Sequence, residues 1–263
     1  AIYSKLSKMQ QIDLNEEDLG VSSQAEETLS EYRNIAIFGV DSRSNNLEQG
    51  NRSDCIIIAS INNSTKEVRL ISVYRDTYVQ IEGHGLDKIT HAYSYGSAPL
   101  AIKTLNTNLD LNIKEFVTVN FDSVAEAVDE LGGVTINIES QEELKYLNSY
   151  IGETSRVTGK TSEKVQDIGQ QYLNGVQAVA YSRIRYTEGG DYKRTERMRT
   201  VIEAMANKLK TKSIGEMNSF VDCILPKVYT NIKSSDVFAL MPSVINFKIG
   251  RSMGWPYETK GIT

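Results

Sequence analysis

"NIAIFGVDSRSNNLEQGNRSDCIIIASINNSTKEVRLISVYRD" (residues 34–76) contains three apolar runs, NIAIFGV (34–40), DCIIIASI (54–61) and EVRLISV (67–73). Val, Ile and Leu dominate each, which predicts three buried strands. The second is apolar on both faces, as expected of a strand covered on both sides. The NNSTK link (62–66) is short and polar, which is hairpin chemistry. Residues 41–53 are barely long enough for a parallel crossover and carry no helical pattern. An antiparallel meander is therefore predicted. It brings the end of the first strand, the start of the second and the end of the third to one sheet edge, together with Asp41, Arg43, Arg52, Asp54, Arg75 and Asp76.

Further along, the pattern predicts a helix over 96–109, a strand over 115–120, a helix over 121–133 with a glycine C-cap and a strand over 134–138. Residues 139–168 read as a polar excursion. Helices follow over 172–185 and 191–210, then near 214–225 and 234–247. Helices interleaved with a mixed sheet predict an α/β protein of three-layer α/β/α sandwich type. Residues 1–33 read as an acidic linker with a short helix, 34–250 as the main domain and 251–263 as a tail.

Composition narrows the function. A pI near 5.3 and a net charge of −5 argue against a nonspecific nucleic-acid binder, which needs a basic face. Cys55 and Cys223 make no disulfide framework, and Cys55, opening an apolar run, reads as a buried small hydrophobe. No 18-residue apolar run occurs, so no transmembrane helix is expected within the chain. It begins at Ala1, and an anchor upstream is compatible with that. There is no Gly-rich phosphate loop, no H-E-x-x-H and no G-x-S-x-G. His91, in "DKITHAY" (87–93), reads as a structural hydrogen-bonding residue, and Lys88 as either a phosphate contact or a surface lysine.

"YSRIRYTEGGDYKRTERMR" (181–199) runs against the acidic background, with six basic and three acidic side chains. In the helix from Asp191, Met198, Val201, Ile202, Met205 and Leu209 mark the buried face. Stepping that face back by three and four lands on Arg197 and Arg194, while Lys193 and Arg199 fall off it. Inward arginines at the positive end of a helix suit an anion site. Asp191 is the expected N-cap, and the Gly189–Gly190 pair permits a reversal that returns Arg183 and Arg185 to the same mouth. The competing reading is an internal ion-pair network with Asp41, Asp54, Asp76 and Asp191. The acids on the strand edge favour a ligand instead: one or two carboxylates suit Mg²⁺ with phosphate oxygens, and arginine forks suit pyrophosphate.

Six ordered stretches, "GVDSR" (39–43), "RSD" (52–54), "SVYRDTYV" (72–79), "DKITHAY" (87–93), "VNFDSVAEAVDELGGVTINI" (119–138) and 181–199, resemble the LytR-CpsA-Psr family over about residues 34–210. The resemblance implies an extracytoplasmic enzyme held by one N-terminal transmembrane helix. It would be a phosphotransferase that ligates an anionic glycopolymer, of wall teichoic acid or capsular polysaccharide type, from a polyprenyl-pyrophosphate carrier to peptidoglycan. It implies an α/β/α fold with an apolar groove for the prenyl chain, and Mg²⁺ (or Mn²⁺) on Asp41 and Asp54. It assigns pyrophosphate contacts to Arg52, Arg75, Arg183 and Arg185, with Lys88, Asp191, Arg194 and Arg197 on the family's binding stretches. Arg75, Asp76, Arg183 and Arg185 are the expected catalytic set, Asp76 orienting Arg75 or, as the lesser alternative, helping to deprotonate the acceptor. Tyr74, Thr90 and Met198 depart from the family's usual Pro, Asn and Gln, and none is a charged site residue. The rival is a non-catalytic binder of lipid or polyanion, or an envelope-related regulator.

Overall fold

The computed structural model describes residues 10–42, 46–48 and 50–257. In chain order the elements are β1 (Gln10–Gln11), α1 (Ser23–Thr28), β2 (Tyr32–Val40), β3 (Ser53–Asn62), β4 (Glu67–Val73), β5 (Tyr78–Ile81), β6 (Gly85–Lys88), α2 (Thr90–Leu109), β7 (Glu115–Val119), α3 (Phe121–Glu130) and β8 (Val134–Ile138). They continue as α4 (Gln141–Thr158), β9 (Gly169–Leu173), α5 (Gly175–Arg183), α6 (Gly190–Leu209), α7 (Ile214–Ile224), β10 (Tyr229–Thr230), α8 (Ser234–Leu240), β11 (Lys248–Ile249) and β12 (Met253–Trp255). No helix among the described residues is long and apolar enough to cross a membrane. The described residues divide into two compact units, 10–119, 228–233 and 246–257 in one, and 120–227 and 234–245 in the other.

The sheet unit is built on the meander. Strand β2 pairs antiparallel with β3, and β3 antiparallel with β4. The full order is β1-β10-β7-β2-β3-β4-β11, with β12 also paired to β4. Because β7 joins β2 in parallel and β10 joins β7 antiparallel, the sheet is mixed, as expected. One face packs on α2: Ala36, Phe38, Ile56, Ile58 and Phe116 share a buried cluster with Ala92, Tyr93, Ile102 and Leu105. The period of two along each strand then puts Ile35, Ile37, Cys55, Val117 and Val119 on the opposite face, where all five are only half-buried. Cys55 is thus not the fully buried residue expected, and neither cysteine forms a disulfide.

Three further expectations change in this unit. Helix α2 starts at Thr90 rather than 96, interrupted at Gly96 and Ser97 where the backbone leaves helical geometry. The stretch before 34 is more than linker: α1 is the short helix expected, but β1 extends the sheet and Leu19 is 1% exposed in the core. The tail is more than a tail, because β12 runs parallel to β4 and Trp255 packs on the same core.

The helical unit carries α3 to α8 and a separate two-stranded sheet, β8 with β9. The polar excursion is a helix, α4, whose Leu144, Leu147, Ile151 and Thr154 are buried at helical spacing. Polar residues between them hid the stripe. Residues Tyr172 and Leu173 belong to β9, and the helix expected from 172 begins at Gly175 behind an Asn174 cap. Gly175 is required, because a Cβ there would collide with the Ala125 carbonyl of α3. The last expected helix, near 234–247, is α8 followed by a 3₁₀ segment, Met241–Asn246.

Candidate functional site

The candidate residues fall into two sets, one in each unit. In the sheet unit, the β2–β3 register runs regularly to Gly39↔Cys55 and then shifts to Val40↔Ser53. Asp54 is the extra residue of that irregularity, and such a bulge re-aims a side chain at a strand end. Its carboxylate accepts from Arg75 Nη1 at 2.6 Å. Arg75 Nε lies 3.8 Å from Asp76 Oδ2, and Asp76 Oδ1 lies 3.0 Å from Lys88 Nζ. The strand edge thus carries a ladder of alternating charge, Asp54–Arg75–Asp76–Lys88. Arg75 Nε is buried with no hydrogen-bond partner among the described residues.

Thr90 fixes this edge to α2. Its amide donates to the Arg75 carbonyl at 3.0 Å and its hydroxyl to the Ser53 carbonyl at 3.0 Å. The side chain at this departure from the family's usual Asn thus ties the start of β3 to α2, while the backbone amide ties the end of β4. Among the described residues, Arg52 and Asp41, both exposed, make no side-chain hydrogen bond or ion pair. Arg43 lies outside the described residues.

His91 behaves as expected. Its Nδ1 is 2.9 Å from Asp87 Oδ2, which also accepts from Tyr95 Oη at 2.7 Å. With the Lys88 amide as a third donor, these bonds push the Asp87 carboxyl down to about 2, the Tyr95 bond contributing most.

Among the described residues no three His, Cys, Asp or Glu side chains converge as a metal cage. The donor set Asp41 and Asp54 fits a hard cation that takes one or two carboxylates and completes its shell with phosphate and water oxygens. It does not fit a closed protein site.

In the helical unit, α5 ends at Arg183, whose Nη2 donates to Glu153 Oε1 at 2.7 Å and Nη1 to Thr154 Oγ1 at 3.2 Å. Its guanidinium lies 4.8 Å from the Phe121 ring centroid and 5.8 Å from that of Tyr150. Arg185 is exposed and has no side-chain hydrogen bond or ion pair among the described residues. Gly189 (φ 89°) and Gly190 (φ 49°) make the reversal into α6. Gly189 takes the N-cap position, so Asp191 is not the cap. Asp191 sits in the first turn and pairs with Arg194 Nη2 at 2.6 Å.

The helical phase correctly turned Arg194 and Arg197 inward; they are 2% and 1% exposed. It missed Arg199, which is also buried, because the covered face of α6 is wider than the stripe read from its apolar residues. Arg197 is held by its own protein. Nε donates to Glu143 Oε1 at 2.8 Å, Nη1 to the Ile184 carbonyl at 3.3 Å and Nη2 to Thr187 Oγ1 at 2.9 Å. Glu143 is the residue sequence reasoning missed. The only signal for it was the Ser140-x-x-Glu143 spacing of a helix start, and Ser140 does accept from the Glu143 amide at 3.1 Å. The ion-pair reading thus holds in part: Asp191 holds Arg194 of this stretch, whereas Asp54 holds Arg75 on its own strand edge.

A mixed sheet with an acid–arginine ladder at its strand ends, and an arginine-bearing turn between helices, are the features the sequence resemblance anticipated. The chain belongs to the LytR_cpsA_psr family, whose model matches residues 1–251. It is 31% identical over 87% of its length to the polyisoprenyl-teichoic acid–peptidoglycan teichoic acid transferase TagT of Bacillus subtilis (strain 168), 70% of which is covered. Among solved structures it is similar to TagT bound to LI-WTA, with a TM-score of 0.67 and 28% identity over 85% of this chain and 77% of that one. It is also similar to the family protein YwtF (TagT) with bound octaprenyl pyrophosphate lipid, with a TM-score of 0.62 and 25% identity over 93% and 80%.

Proposed function

We propose that this protein is a phosphotransferase that moves an anionic glycopolymer from a polyprenyl-pyrophosphate carrier to a peptidoglycan hydroxyl, at the extracytoplasmic face of a membrane and tethered by an N-terminal helix upstream. The observation that carries the reading is Arg52: an exposed guanidinium two residues before Asp54, which pairs with Arg75, with no acceptor of its own among the described residues. A guanidinium in that state favours an external anion, and its fork matches a phosphate.

Arg52 and Arg75 are assigned to the pyrophosphate, as are Arg183 and Arg185. Arg75 can reach an anion while Asp54 and Asp76 hold its orientation. Lys88, already paired with Asp76, steadies that carboxylate. Asp191 positions Arg194. Arg197, with its donors engaged, is assigned to holding the 184–187 segment and not to the ligand. Asp41 and Asp54 are the residues that would hold Mg²⁺ (or Mn²⁺), which when bound neutralises charge on phosphate oxygens. The half-buried apolar strip Ile35, Ile37, Val117 and Val119 suits a prenyl chain.

In the reaction, the acceptor hydroxyl loses its proton and forms a bond to the phosphorus that bears the glycopolymer. The bond from that phosphorus to polyprenyl phosphate breaks. The protein contributes positioning and charge stabilisation, which dominate phosphoryl transfer; water in place of the acceptor gives slow pyrophosphate hydrolysis. The test is turnover of a polyprenyl-pyrophosphate-linked glycan with Mg²⁺ by Arg183→Ala and by Asp54→Ala. Both are expected to lose at least about a hundredfold, the scale of a removed charge-stabilising donor. Undiminished turnover in both refutes the assignment, and carrier binding without turnover by the unaltered protein identifies a non-catalytic binder.

A further inference from the structure

Thr90 and Tyr93 lie one turn apart at the start of α2, and together they hold three separate points of the strand edge. The Thr90 amide donates to the Arg75 carbonyl and its hydroxyl to the Ser53 carbonyl, each at 3.0 Å. Tyr93 Oη donates to the Leu47 carbonyl at 2.8 Å. A phenol has one proton to give, so Tyr93 accepts in its second bond, with Thr118 Oγ1 at 2.8 Å. Leu47 belongs to the connection between β2 and β3. One helical turn therefore fixes the end of β4, the start of β3 and the connection that precedes it.

That connection carries Asp41 and Arg52 near its two ends. Leu47 is the single apolar side chain in residues 41–53, and it is buried in the core cluster with Phe38 and Tyr93. The residue before it gathers both stems: the Asn46 carbonyl accepts from Ser42 Oγ at 3.1 Å and from Asn51 Nδ2 at 3.3 Å. Ser42 adjoins Asp41 and Asn51 adjoins Arg52. Both stems are thus tied to one point, and that point is moored by Leu47. Tyr93 is itself rigid, fully buried with its ring centroid 5.2 Å from that of Phe38.

We propose that Tyr93 is a positioning residue for the anion site: through the Leu47 carbonyl it sets where Asp41 and Arg52 stand relative to Arg75. The inference deepens the transferase reading and rests on it for the identity of the ligand. Asp41 and Arg52 make no side-chain bond of their own among the described residues, so their placement comes from the backbone that carries them. A polar surface connection moves unless it is tied down. Affinity falls with the fraction of molecules whose site is already in the binding arrangement. Tyr93, being buried, acts on the ligand through this connection and not by contact.

The experiment titrates the whole chain with geranyl pyrophosphate and Mg²⁺, followed by calorimetry. Tyr93→Phe keeps the ring and deletes the bond to Leu47, and is expected to weaken binding about five- to tenfold, the scale of one buried hydrogen bond. Thr118→Val removes the other partner of the same hydroxyl and leaves the Leu47 bond in place. It disturbs the core equally and is expected to bind within about twofold of the unaltered protein, because the connection keeps its mooring. Binding by Tyr93→Phe equal to that of the unaltered protein overturns the proposal, as does an equal loss in Thr118→Val, which reduces Tyr93 to a core residue. Either result leaves the pyrophosphate assignment standing, since the unaltered protein still binds. No binding by the unaltered protein overturns both that assignment and the proposal.

Discussion

Replacing Glu143 with alanine tests how the arginine-rich helix is held. Glu143 and Arg197 side chains are each 2% exposed, and the pair is closed at 2.8 Å. Deleting the carboxylate strands a guanidinium charge in the interior and also removes the acceptor of the Glu139 amide, now at 2.7 Å. Breaking one partner of a buried pair costs about 3–5 kcal/mol, a large share of a folding free energy of about 5–15 kcal/mol. With a urea m-value of about 3 kcal/mol/M, the unfolding midpoint followed by circular dichroism falls by about 1–2 M. The double variant Glu143→Leu/Arg197→Met removes both charges and fills the space, and regains all but about 1 kcal/mol. Its carrier KM still rises, because the Ile184 and Thr187 tethers are gone. A midpoint shift below about 0.3 M for Glu143→Ala, on the same m-value, or a double variant as unstable as the single, refutes the reasoning.

Two further outcomes follow from packing and from titration. Gly175→Ala drives a methyl into the Ala125 carbonyl, and is expected to lower stability by about 1–3 kcal/mol in urea unfolding through a displaced α3–α5 contact; an unchanged midpoint contradicts the close approach. Asp87 has its carboxyl lowered from 3.8 to about 2, so its contribution is present above the unfolded value and is lost as pH falls through the folded one. The stability gap between the unaltered protein and Asp87→Asn should therefore shrink between pH 4 and pH 2, and a constant gap in acid-unfolding curves removes this account.

The meander was legible because three Val/Ile/Leu runs, a polar hairpin link and a short helix-free connection admit few pairings. That pairing in turn brought Asp54, Arg75 and Asp76 to one edge. The inward turn of Arg194 and Arg197 was legible for the same kind of reason, a periodicity of 3.6. The occupants of those arginines were not. Glu143 is 54 residues from Arg197 and sits in a helix whose polar surface outweighs its buried stripe, so no local pattern links the two. The N-cap was misplaced because positive φ at Gly189 puts the cap two residues ahead of Asp191, and glycine carries no mark of the turn it will adopt. The bulge at Asp54 is likewise a register event between two strands, invisible in either strand alone.

The strand edge has a consequence for recognition at a distance. The Asp54–Arg75–Asp76–Lys88 ladder carries two charges of each sign, so it is electrically neutral. Its field is that of paired dipoles and fades within a few ångströms, well inside the Debye length of about 8 Å at physiological salt. Such an edge neither draws polyanions in from solution nor is swamped by them. It discriminates at contact, and its capture rate should be nearly indifferent to ionic strength, which suits a ligand delivered along a membrane surface more than one arriving by three-dimensional diffusion.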